Sequence, residues 1–136
     1  MNESSIMNKS INSLPQIAQI TYKILINHKG RENGLPDQQL MDQLRSFPQY
    51  KNIVMRDRRL VIERLRKEGV RICNMQDGHG WFIAVSDQEY FEFRALYGKR
   101  AFEMIKTIKA MDRQKRDEST EVITGIQQIP VQKRLF

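Results

Sequence analysis

Val54-Met55-Arg56-Asp57-Arg58-Arg59-Leu60-Val61-Ile62-Glu63-Arg64-Leu65-Arg66-Lys67-Glu68-Gly69 is the stretch on which the fold turns. Val54, Val61, Ile62 and Leu65 recur at helical spacing and share one face. Gly69 supplies a helix stop. The predicted helix therefore runs from about Val54 to Glu68. Arg56, Arg59, Glu63 and Lys67 lie on the opposite face, with Asn52 and Arg66 flanking it and Leu60 close to the outward side. Arg58 falls on the apolar stripe, where its stem is expected to pack while its charged head snorkels out past the helix start.

Upstream, Leu14, Ile17, Ile20, Ile24 and Leu25 give a first helix ending near His28, with Pro15 in its first turn. Gly30 and Arg31-Glu32-Asn33-Gly34 then read as a loop. Leu40, Met41 and Leu44 stripe a short second helix over Gln38–Leu44, with Asp37 as its expected N-cap. Ser46-Phe47-Pro48 breaks that helix, and the chain reaches the third helix through Gln49–Asn52.

Downstream, Arg71–Met75 and Gly80–Val85 read as two short strands around Gln76-Asp77-Gly78-His79, and Asp-Gly is a strong hairpin signal. Trp81, Ile83 and Val85 share one side, so Trp81 is expected in the core. Phe82 faces the other way, toward a contact or beneath the last helix. Ser86-Asp87-Gln88-Glu89 reads as a capping box opening a helix to about Arg116. Its seam is Tyr90, Phe93, Tyr97, Ala101, Met104, Ile108 and Met111. Phe91, Leu96, Phe102 and Ile105 lie off the seam and are assigned to packing within the chain. Gly98 marks a kink or a close contact.

The expected fold class is mainly α with a small β-hairpin. The expected division is a disordered N-terminus over 1–13, a DNA-binding domain over 14–85, a long helix over 86–116 and a flexible tail over 117–136. The chain has 136 residues and a single cysteine, Cys73, which rules out an internal disulfide and a cysteine-based zinc site. No run of 18 apolar residues and no apolar signal-peptide centre at Met1–Ser13 are present, which suits the cytoplasm. Net charge is +7 overall, and it is concentrated. Residues 51–71 hold eight Lys/Arg against three acids, and residues 99–116 hold seven against two. Residues 72–98 between them hold one against four. Two basic blocks separated by an acidic one point to a localised polyanion-binding face. The alternative for the second block is a solvated helix face.

Helix, helix, basic helix and Asp-Gly hairpin is the order of a winged helix-turn-helix domain. Over roughly residues 14–112 the chain resembles small winged-helix proteins of phage and mobile-element replication modules. The resemblance is carried by Arg56-Asp57-Arg58-Arg59, by Leu65-Arg66-Lys67-Glu68-Gly69, by Gly80-Trp81-Phe82-Ile83-Ala84 and by the Ser86–Glu89 helix start. Two features depart from it: the long turn from Phe47 to Asn52, and the inward Arg58. It implies a third helix set into the DNA major groove. Arg56 and Arg59 would then reach base edges, with guanine the preferred partner. Lys51, Arg66 and Lys67 would contact phosphates, Asn52 would flank them, and the hairpin residues Gln76 and His79 would lie along the backbone or the minor groove.

The chain ends in Gln132-Lys133-Arg134-Leu135-Phe136. This resembles the pentapeptide by which bacterial replication and repair proteins hold the sliding clamp. The resemblance implies that Gln132 enters a polar pocket and that Leu135 and Phe136 enter an apolar one. Lys133 and Arg134 depart from the usual second and third positions. The alternative is a terminal segment that docks on its own domain.

Three functions follow from these features. One is a replication accessory or initiator that recruits or occupies the host clamp, in the cytoplasm of a bacterial host cell. The second is a winged-helix transcriptional regulator without clamp binding. The third is an inhibitor that blocks the clamp or another replication protein. The expected partners are DNA, the sliding clamp and, through residues 90–111, a homodimer; the alternative to the dimer is one helix folded across its own domain. No catalytic residues, metal or cofactor are expected, since no phosphate-binding glycine loop, carboxylate cluster or activated nucleophile is visible.

Overall fold

The computed structural model describes residues 10–118, with side chains through residue 114. Its described chain is mainly helical with one small antiparallel sheet. Two compact units meet between Ala95 and Leu96. The expected tail, with Gln132, Leu135 and Phe136, lies outside the described residues, as do residues 1–9.

The first unit starts earlier than expected. Residues 10–12 form a helical turn, and Ile11 and Leu14 are buried in the core. Ser10 Oγ donates to the carboxylate of Glu68, which ties this turn to the end of the basic helix. The polar composition of 1–13 concealed Ile11, whereas Leu14 was already on the apolar stripe of the first helix.

Helix α1 spans Gln16–Leu25 and starts behind Pro15, whose backbone is extended. It buries Ala18, Thr21 and Leu25. Thr21 is affordable inside because its Oγ1 donates to the Ile17 carbonyl at 2.8 Å. Helix α2 spans Asp37–Arg45 and buries Leu40, Met41 and Leu44. Asp37 does not cap it: Pro36 holds the cap position, and the Asp37 carboxylate serves another purpose described below. A 3-10 turn at Pro48–Tyr50 follows, and Arg45 spans the long connection by donating from Nε and Nη2 to the Ile53 carbonyl at 3.2 and 3.1 Å.

Helix α3 spans Met55–Lys67 and buries Arg58, Val61, Ile62 and Leu65. Asp57 accepts a hydrogen bond from the Val54 amide at 3.0 Å, which satisfies a donor before the first turn. Strands β1 (Ile72–Cys73) and β2 (Phe82–Ile83) pair antiparallel, with Ile72 opposite Ile83 and Cys73 opposite Phe82. Both strands are shorter than the sequence suggested. Asn74 Oδ1 accepts from the Gln76 amide at 2.8 Å, and Gln76 takes a positive φ of 59°, so the chain turns away from the ladder at once.

A further segment joins the sheet that the sequence did not announce. Leu35 and Trp81 exchange both backbone hydrogen bonds, at 2.7 and 2.8 Å. Gly30 donates to the Ile83 carbonyl at 2.9 Å, and Ile83 donates to the His28 carbonyl at 3.0 Å. The loop between α1 and α2 thus lies along the far side of β2. Gly80 permits this approach: a Cβ there would stand 2.2 Å from the Leu35 carbonyl oxygen, and its φ is +86°. One core unites α1, α2, α3 and the sheet through Leu25, Leu35, Leu40, Leu44, Ile62, Leu65, Ile72 and Trp81.

Helix α4 spans Asp87–Glu118, two residues past the expected end. Ser86 Oγ accepts from the Glu89 amide at 3.2 Å, as a capping box requires. Glu89 does not reach back to Ser86. Its carboxylate instead accepts from the amides of Val85 and Arg31 at 3.0 and 3.1 Å. The first unit includes α4 through Ala95, beyond the expected boundary at 85, because Phe93 is buried with Cys73 and Phe82. Phe82 therefore packs beneath the start of this helix, and Trp81 is in the main core.

In the second unit, Gly98 has open space where a Cβ would stand, so no close contact explains it. Phe91 and Phe102 are largely exposed, Phe91 touching the Tyr90 ring and Phe102 lying beneath Lys106, while Leu96 and Ile105 are half-buried. Among the described residues no helix is long and apolar enough to cross a membrane.

Candidate nucleic-acid interface

Helix α3 carries two sets of cations, separated by helical phase. Arg56, Arg59, Arg64 and Lys67 are exposed, together with Leu60 and Glu63. Four cations against one carboxylate make this face strongly positive. From Arg56 to Lys67 it extends about 16 Å, at 1.5 Å per residue. Lys51 and Asn52 are exposed in the turn just before α3. The structure thus presents Lys51, Asn52, Arg56, Arg59 and Lys67 on the surface at and before one helix. Arg64 belongs to the same surface; its place between Glu63 and the buried Leu65 hid it in the sequence.

Arg58 and Arg66 point the other way. Arg58 is only 9% exposed, so its head does not snorkel into solvent. Its Nη2 donates to Asp37 Oδ2 at 3.1 Å, and its Nε stands 3.0 Å from Asp37 Oδ1. The Nε contact is an ion pair without hydrogen-bond alignment. Trp81 Nε1 donates to the same Asp37 Oδ1 at 2.8 Å, and the Arg58 guanidinium lies 5.2 Å from the Trp81 ring centre. One carboxylate on α2 thereby joins α3 to the hairpin. A buried arginine is tolerable here because its charge is paired and lies against an aromatic face.

Arg66 departs from the expected phosphate contact. Its Nε donates to the Ile72 carbonyl at 2.9 Å, and its guanidinium sits 5.8 Å from the Trp81 ring centre and 5.0 Å from that of Phe93. It is half-buried and braces α3 against β1 and α4.

The hairpin residues Gln76 and His79 are exposed, but the loop between them is organised around Asp77. Asp77 accepts from the His79 amide at 3.1 Å, from Arg31 Nε at 2.9 Å and from Arg31 Nη2. The His79 amide and the Arg31 guanidinium hold its carboxyl well below the usual carboxylate range. His79 Nδ1 lies 3.1 Å from Asp77 Oδ1. Asp77 therefore has much of its charge answered by Arg31.

His28 Nδ1 is 2.9 Å from the Asn33 carbonyl oxygen, a local contact that closes the loop after α1. Cys73 is fully buried, and burial pushes its thiol up to about 11. Among the described residues no group of three or more His, Cys, Asp or Glu side chains gathers in a way that could hold a metal ion.

No family model, curated protein or solved structure matches the chain.

Proposed function

We propose that this chain is a non-enzymatic DNA-binding protein with a winged helix-turn-helix domain, acting as a replication accessory or initiator that engages a bacterial sliding clamp through its terminal residues. The observation that carries the DNA reading is the outward face of α3. Arg56, Arg59, Arg64 and Lys67 are exposed there, and none has a side-chain partner among the described residues. The element order supports the same reading: α1, a sheet segment at residues 28–35, α2, α3, and then the two strands. In that arrangement α3 is the helix offered to the major groove.

On this reading Arg56 and Arg59, near the start of α3, meet base edges, while Lys51, Arg64 and Lys67 meet phosphates. Gln76 and His79 accompany the backbone from the hairpin, and Asn52 lies beside them. The clamp reading rests on the Gln132, Leu135 and Phe136 pattern alone. A transcriptional regulator would use the same α3 face without those three residues, and a clamp inhibitor would use them without α3.

Fluorescence anisotropy with random and selected duplexes, over a range of salt concentrations, tests the domain. The Arg56→Ala, Arg59→Ala double variant should lose sequence preference, by about 1–3 kcal/mol for each two-pronged base contact removed. Unchanged preference excludes α3 as the reader. A pull-down of the host clamp by chains with and without residues 132–136 then decides between the replication and regulator readings.

A further inference from the structure

Among the described residues the second unit is a helix without a core. From Leu96 to Gln114 no residue is buried, although the helix continues to Glu118. Helices in water draw most of their stability from packing an apolar face, and isolated ones of this length are marginal. The side chains show which face is meant for packing. Tyr97, Ala101, Met104, Ile108 and Met111 follow one another at steps of four, three, four and three, which is the spacing of a two-helix seam. Met104 and Met111 are 66% and 59% exposed. Tyr90 and Phe93, which the sequence placed on the same seam, belong to the first unit. Phe93 is buried there, and Tyr90 lies beneath the Arg71 guanidinium at 4.2 Å.

The cations lie mostly on the face away from this seam, where Glu103 is the one acid and stands 3.8 Å from Lys106. At 100° per residue, Lys99, Lys106 and Arg113 each fall within about 20° of the direction opposite the seam, with Lys109 beside them. The flanking positions are Gly98, Ile105, Thr107 and Gln114, with Arg100 and Asp112 the two flanking charges. An apolar line with mostly neutral flanks and a basic back suits another helix of the same kind, since two copies can meet with their lysines directed apart. It suits an anionic membrane poorly, because a surface-bound helix needs its cations beside the apolar face, toward the headgroups.

We propose that residues 97–111 pair with the same segment of a second copy of this chain, burying Ala101, Met104, Ile108 and Met111 and leaving Lys99, Lys106, Lys109 and Arg113 on the outside. A two-fold pairing is the commonest closed arrangement. The inference is independent of the nucleic-acid reading: it requires neither α3 nor DNA.

Size-exclusion chromatography with light scattering on the full chain at about 50 micromolar tests it, a concentration at which a dimer of Kd near 1 micromolar is mostly formed. The expected mass is twice 16.1 kDa. Met104→Glu, Ile108→Glu should return the single-chain mass and lower helicity, while Trp81 emission confirms that the first unit stays folded. Lys106→Glu, on the opposite face, should remain a dimer. A monomeric native chain overturns the proposal, as does a seam variant that stays dimeric or a Lys106→Glu chain that dissociates. Flotation of the native chain with vesicles containing one-third phosphatidylglycerol would also overturn it, because the seam would then serve a lipid surface.

Discussion

Replacing Asp37 by Ala should be among the costliest single changes in the first unit, and costlier than replacing its partner Arg58 by Met. Asp37 accepts from Trp81 Nε1 and from Arg58 Nη2, at 2.8 and 3.1 Å. Removing it leaves a guanidinium that is 10% exposed at the side chain with no carboxylate beside it. Breaking a buried pair by deleting one partner costs about 3–5 kcal/mol. The Asp37 side chain is itself 34% exposed, so water relieves part of this. Roughly 2–3 kcal/mol remains, including about 1 kcal/mol for the indole hydrogen bond. At 4–8 °C per kcal/mol for a domain of this size, Tm should fall by about 8–24 °C. Arg58→Met removes the buried charge and keeps the volume, while Asp37 retains Trp81 and partial hydration. That change should cost about 1 kcal/mol or less. Urea unfolding followed by fluorescence is a direct assay, because Trp81 is the only tryptophan in the chain. A loss below about 0.5 kcal/mol for Asp37→Ala, or an equal loss for Arg58→Met, would refute the view that an orphaned charge sets the cost.

Three other outcomes follow from the local geometry. Gly80→Ala should prevent the hairpin from closing on the α1–α2 loop, since its Cβ would press on the Leu35 carbonyl at 2.2 Å; circular dichroism and Trp81 emission should both change. Cys73 should react with a thiol reagent at pH 8 only as fast as the domain opens, because burial raises its thiol to about 11; labelling as rapid as that of a free thiol would contradict the buried placement. The lowered Asp77 carboxyl stabilises the hairpin loop above the ordinary carboxylate range, and that contribution is lost as pH falls toward its folded value. Amide protection at His79 should therefore persist at pH 5, weaken toward pH 2, and weaken at both in Arg31→Ala, as read by hydrogen exchange.

The helices were legible because their signals are local. The apolar stripe and Gly69 placed α3 within one residue at each end of its observed Met55–Lys67 span. Ser86 announced α4 for the same reason. What was not legible depends on partners distant in sequence. The position of Arg58 on an apolar stripe was visible, but its partner Asp37 lies 21 residues away, and its place just before the second apolar stripe made Asp37 resemble a cap. Arg66 looked like an outward cation because the Ile72 carbonyl and the Trp81 and Phe93 rings that receive it become neighbours only after folding. The segment at 28–35 has no strand pattern, and its pairing with β2 comes from close backbone approach at Gly80. The exposed α3 face and the inward position of Arg58 could be read from periodicity, whereas the inward turn of Arg66 and the burial of the Arg58 head could not.

That division sets how strongly DNA affinity should respond to salt. Counting sequence charge, residues 51–71 offer eight cations for phosphates. Three of them are already engaged, Arg58 and Arg66 inside the domain and Arg71 in an exposed surface pair. Arg58 is paired with Asp37, Arg66 with the Ile72 carbonyl, and Arg71 with Asp87 at 2.7 Å and the Tyr90 ring. Eight less three leaves Lys51, Arg56, Arg59, Arg64 and Lys67. On duplex DNA each neutralised phosphate contributes about 0.9 to the slope of log affinity against log salt. Variants separate the two sets without requiring the absolute slope, to which α4 cations or a second copy would also add. Lys67→Ala should flatten the slope by about 0.9 and weaken all sequences alike. Arg66→Met should leave the slope unchanged, while lowering Tm through loss of its contacts with Ile72 and the two rings. The measurement is anisotropy of a labelled duplex from 50 to 300 mM salt, at a temperature where each variant is folded. An Arg66→Met slope flattened as much as that of Lys67→Ala would mean that Arg66 leaves its interior contacts for a phosphate, and the separation of inward and outward arginines on α3 would fail.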